Sequence, residues 1–128
     1  MVKIEELRTF LENKINTLLN LNFRITYNVS DYINRDFTGL IIIQNLENNN
    51  KFAYLKTELI IKINARIYTN YLRIYHWVRI FNILLNEFGV SNLTSTIVYE
   101  NNEYQESDDL GYYFLHFMFD LNVSSDLY

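Results

Sequence analysis

The chain has no cysteine and no proline, and its glycines are three: Gly39, Gly89 and Gly111. Without cysteine there is no disulfide framework, no thiolate zinc site and no cysteine nucleophile, so packing alone must hold the fold. Three scattered glycines cannot form a glycine-rich phosphate loop, which removes P-loop and dinucleotide sites. No run approaches the roughly 20 apolar residues of a membrane span, and the start MVKIEELRTFLENK is amphipathic rather than a positive tip followed by an apolar stretch. No membrane association is expected, and a soluble protein of the cytoplasm is. Chemistry-bearing patterns are also scarce. His76 and His116 have no partner at metal-ligand spacing, the acidic run at Glu106, Asp108 and Asp109 lacks the calcium-loop pattern, and Ser107, Ser124 and Ser125 have no elbow motif. No cofactor, metal or catalytic residue is expected, and the chain does not read as an enzyme.

What remains is the material of one globular domain spanning residues 1–128. Hydrophobic residues make up 49% and charged residues 20%, which argues against disorder, and the aromatic share of 16% suits strands and interfaces. The wealth of Ile, Asn, Lys and Tyr beside the missing proline has the bias of an AT-rich genome.

Periodicity supplies the elements. Ile4, Leu7, Leu11, Ile15, Leu18 and Leu19 form one helical face, predicting a first helix over about 3–20. Phe23 to Val29 alternates as a first strand, and Ser30 to Asp36 reads as a polar loop. Gly39 to Leu46 and Phe52 to Arg66 predict two long strands of a hairpin, separated by the turn signal Glu47-Asn-Asn-Asn50. Ile74, Trp77, Val78, Phe81, Leu84, Leu85 and Phe88 mark a second helix, with Gly89 placed for a left-handed C-cap. Thr94 to Glu100 is a fourth strand, Asn101 to Asp109 an acidic loop, and Tyr112 to Val123 a fifth strand. The expected fold is α+β: two helices packed on an antiparallel or mixed sheet of about five strands, in the order α-β-β-β-α-β-β.

The fifth strand carries an anomaly. Tyr113, Leu115, Phe117, Phe119, Leu121 and Val123 suffice for a core, yet the opposite side carries Tyr112, Phe114, His116 and Met118 where a surface strand would be polar. Those four are read as an interface, covered by the first helix or by a neighbouring subunit.

Charge is segregated. Residues 51–79 hold six basic side chains and one acidic, whereas residues 80–128 hold eight acidic and no basic. Lys62, Arg66, Arg73 and Arg79 on one flank would then face Glu100, Glu103, Glu106, Asp108 and Asp109 on another copy, a heterologous contact of the kind that closes rings. Tyr68, Tyr71 and Tyr75 lie among the same basic residues, but the net charge of −4 and the lack of a recognition motif speak against sequence-specific nucleic-acid binding.

Glu58-Leu-Ile-Ile-Lys-Ile-Asn-Ala-Arg66 running into the helix Tyr71 to Phe88, then Ser95 to Glu100, then Asp109-Leu-Gly-Tyr-Tyr-Phe-Leu-His-Phe-Met-Phe-Asp-Leu-Asn122, resembles the tail terminator proteins of long-tailed bacteriophages, also termed minor capsid or tail completion proteins. The likeness covers nearly the whole chain in order and length, and departs from the family where Ser30 to Asp36 lacks a proline. It implies a structural virion protein at the head-tail interface, in the host cytoplasm before assembly. Its subunits would form a ring, commonly a hexamer, that caps the major tail tube protein and offers a surface to the head-tail connector protein. Another connector component, a stopper or adaptor, and a small cytosolic ligand-binding module are the alternatives.

Overall fold

The computed structural model describes residues 2–49, 52–64, 74–100 and 111–124. Among these residues eight elements follow one another: α1 (Val2–Leu19), β1 (Arg24–Thr26), α2 (Val29–Ile33), β2 (Phe37–Asn49), β3 (Phe52–Asn64), α3 (Ile74–Phe88), β4 (Ser91–Glu100) and β5 (Tyr112–Asn122). The strands form one mixed sheet in the order β1-β2-β3-β5-β4, in which β1 runs parallel to β2 and every other pairing is antiparallel. The α+β class, the two long helices and the five strands agree with the sequence pattern.

Both long helices cover the same face of the sheet. Ile4, Leu7, Leu11 and Ile15 of α1 and Trp77, Phe81, Leu84 and Leu85 of α3 are buried in one core with Leu59, Ile61 and Ile63 of β3 and Leu115, Phe117 and Phe119 of β5. Each such side chain contributes about 1.5–3 kcal/mol through removal from water. Aromatic contacts join the layers: Phe81 lies 5.7 Å from Phe23 and 5.6 Å from Phe117, ring centre to ring centre, and Phe37 meets Trp77 edge-on at 5.0 Å. At Gly39 of β2 a side chain would crowd the core, since a Cβ would lie 3.0 Å from Ile61 and 3.1 Å from Ile25, whose side chains would have to give way. α3 ends as its sequence predicts. Gly89 takes φ 101°, its N–H donates to Asn86 O, and the Val90 N–H donates to Leu85 O, which closes the last turn.

Two local expectations change. The first strand is three residues long, and the stretch read as a loop contains α2. Asn28 caps that helix, its Oδ1 accepting from the Ser30 N–H at 2.9 Å, so a polar stretch becomes a helical turn that buries Tyr32. β2 is also longer than the expected Gly39 to Leu46, and the hairpin is paired from Phe37–Ile63 to Asn49–Phe52 with one irregularity at Gln44.

Candidate interaction face of the sheet

The second face of β5 is not covered by the first helix, because α1 packs with α3 on the opposite side. Pairing across the sheet instead builds this face in rows: Thr38, Lys62, Phe114, Val98; then Leu40, Ile60, His116, Thr96; then Ile42, Glu58, Met118, Thr94. Alternation puts all of them on one side. A mixed face, with Leu40, Ile42, Ile60, Phe114, Met118 and Val98 set among threonines, Lys62, Glu58 and His116, therefore extends from β2 to β4, well beyond the four residues of β5 read from the sequence. The signal for its other members was the alternation of β2 and β3, which sets Ile42 and Ile60 opposite the core residues.

α2 crosses one end of this face. Lys62 Nζ donates to Ile33 O at 2.8 Å, and its ammonium sits 5.2 Å from the ring centres of both Tyr32 and Tyr112. Lys62 is 6% exposed. Its assignment to an exposed basic flank is thus corrected: the ammonium is spent on the C-terminal carbonyl of α2 and on two aromatic faces. Burial lowers the Lys62 pKa, with a smaller upward pull from Asp36. Tyr112 belongs to the same end, its hydroxyl donating to Asp36 Oδ1 at 3.0 Å.

The centre and far end of the face carry no helix among the described residues. Met118 is 41% and Ile42 38% exposed, while Phe114 and Ile60 are half-buried. Between them stands a polar pair. His116 Nε2 lies 2.9 Å from Glu58 Oε2, and Gln44 Nε2 donates to Glu58 Oε1, so both carboxylate oxygens are engaged. This arrangement orients the His116 ring and anchors Glu58 in the middle of the mixed face. The depression beside it is open and bordered by Gln44, Lys56, Asn92, Thr94 and Asp120, a largely polar rim unlike the enclosed apolar pocket of a small-molecule site.

The other charged candidates are dispersed. Arg79 is exposed on α3, on the helical side of the sheet, and Glu100 is exposed at the end of β4, in the row of Tyr112 and close enough to Tyr32 to help raise that phenol's pKa after burial. Arg66, Arg73, Glu103, Glu106, Asp108 and Asp109 lie outside the described residues. His76 packs its ring against Tyr75 and takes no part in the ion pairs formed among the described residues. Those residues contain no cluster of three or more potential metal ligands, and no helix among them is long and apolar enough to cross a membrane. Compared with known protein families, curated proteins and solved structures, the chain matches none.

Proposed function

We propose that this protein is a structural virion subunit of the tail terminator kind, which joins copies of itself into a ring that caps a phage tail tube and receives the head connector. The observation that carries the reading is the half of the sheet's second face that no helix covers among the described residues. There Ile42, Ile60, Phe114 and Met118 surround the fixed Glu58–His116 pair, and an exposed apolar patch with an ordered polar centre suits contact with protein. Charge has a secondary part. Exposed pairs contribute about 0–1 kcal/mol each, so Arg79 and Glu100 can select an orientation but cannot hold a ring. With Lys62 engaged inside its own subunit, the basic flank rests on Arg66, Arg73 and Arg79.

Electron microscopy of the purified protein, alone and mixed with tubes of a long-tailed phage's major tail protein, tests this reading. The expected result is a free subunit at low concentration and a ring, six-fold in projection, at tube ends. Bare tube ends at saturating protein would overturn it, and rings that bind isolated head connectors but ignore tubes would move the assignment to a stopper or adaptor.

A further inference from the structure

The sheet has edges of two kinds. At β1, α1 supplies side chains that stand in for a missing strand. Asn16 Nδ2 donates to Phe23 O at 2.9 Å, Asn16 Oδ1 accepts from the Phe23 N–H, and Glu12 Oε2 accepts from the Ile25 N–H at 2.9 Å. That edge is closed. β1 pairs with Thr38 to Leu40 alone, however, so β2 from Ile41 to Asn49 has a strand on its β3 side and none on the other among the described residues. At the far side of the sheet β4 pairs, among the described residues, with β5 alone. Both open stretches expose apolar side chains among uncharged polar ones, with their only charges, Glu47 and Glu100, toward the strand ends. Ile43 is 47% and Leu46 41% exposed on β2, Ile97 43% and Val98 49% on β4, and no charged residue occurs from Ile41 to Leu46 or from Leu93 to Tyr99. Edges that must stay unpaired ordinarily carry lysine, proline or inward charge. These carry none.

Strand direction decides what fits them. From β2 through β3 and β5 to β4 every pairing is antiparallel, so these four strands alternate in direction and β4 runs opposite to β2. When a second copy continues the sheet in the same orientation, its β2 meets β4 of the first copy as another antiparallel neighbour, the better-bonded ladder. An odd number of alternating strands would have forced a parallel junction. The contact joins two different edges of one chain, and a contact of that type closes into a ring when the rotation permits.

We infer that copies of this chain join edge to edge, the β4 edge of one subunit (Leu93–Val98) forming an antiparallel ladder with the open β2 edge (Ile42–Asn48) of the next. This deepens the ring reading and rests on it. The ladder supplies direction and spacing, and the second face is left for the partners above and below.

Native mass spectrometry and sedimentation of the full chain over rising concentration, with and without tail tubes, test the inference on Ile97→Lys, Ile43→Lys and their equimolar mixture. Each variant alone should associate at least tenfold more weakly than the parent chain. The mixture should yield heterodimers and nothing larger, since it retains one intact β2 edge and one intact β4 edge. Rings formed by either variant as readily as by the parent would overturn edge pairing while sparing the ring reading. Persistent homodimers of Ile43→Lys would replace it with a two-fold β4 contact, and a parent chain that stays monomeric even with tubes would remove both readings. Should a lysine variant lose its circular dichroism spectrum, the cysteine-free sequence offers a second measurement. Single Val98→Cys and Ile42→Cys chains, mixed and oxidised, should cross-link to each other in preference to themselves, and equal self-linking would count against the heterologous contact.

Discussion

Lys62 shows how one residue changes character when a segment distant in sequence folds over it. Its pKa is lowered from the ordinary 10.5 chiefly by burial. In the alkaline window below 10.5 the folded chain therefore binds fewer protons than the unfolded one, and stability from this group rises with pH there; at lower pH both states hold the proton and the cost of burying the charge is fully present. Urea unfolding followed by the fluorescence of Trp77, the single tryptophan, should show the stability of the parent chain relative to Lys62→Met increasing from neutral to alkaline pH. A difference that does not change with pH would contradict a buried ammonium. Lys62→Met and Lys62→Ala both leave Ile33 O without its donor, at about 1–3 kcal/mol, and Lys62→Ala should be costlier still because it also removes the packed aliphatic stem. Sequence alternation places Lys62 correctly on the second face, but its burial depends on α2, and a period of two contains nothing about a helix arriving from another part of the chain.

Among the elements, β1 depends most on side chains outside the sheet. Glu12→Ala should lower stability by about 1–3 kcal/mol by stranding the Ile25 N–H. Glu12→Gln, which keeps an acceptor oxygen, should cost less, and equal losses for the two in chemical unfolding would mean that this bond contributes nothing. β3, β5, α3 and the Gly89 cap were legible in the sequence because each is set by a local pattern: strict alternation, a 3.6-residue stripe, or a glycine required at φ 101°. α2 was not, since five residues are too short for a stripe; its readable trace was Asn28 two positions before Ser30, with Tyr32 and Ile33 breaking the polar run. The parallel direction of β1 was not legible either, because pairing direction is decided by how the intervening chain crosses the sheet. Of the interaction face, Phe114, His116 and Met118 were visible in the alternation of β5, whereas the Glu58–His116 pair joins residues on two strands and needed the register between them.

Across the whole molecule, the buried side chains of α1, α3 and the sheet form one continuous cluster, and such a core unfolds as a unit in small domains. Circular dichroism and Trp77 fluorescence should therefore give coincident unfolding transitions, and separated midpoints would divide the chain into two cooperative parts. The sheet's outline has a further consequence. β1 lies beside Thr38 to Leu40 and stops, so the rim of the sheet has a step where β2 loses its outer neighbour among the described residues. Two-residue slips between paired strands return every side chain to its own face and are poorly resisted by alternation alone. A strand arriving along β2 meets the blunt end of β1 at that step, which acts as a ruler: it measures how far the newcomer can slide and singles out one alignment from a set that the pleat treats as equivalent.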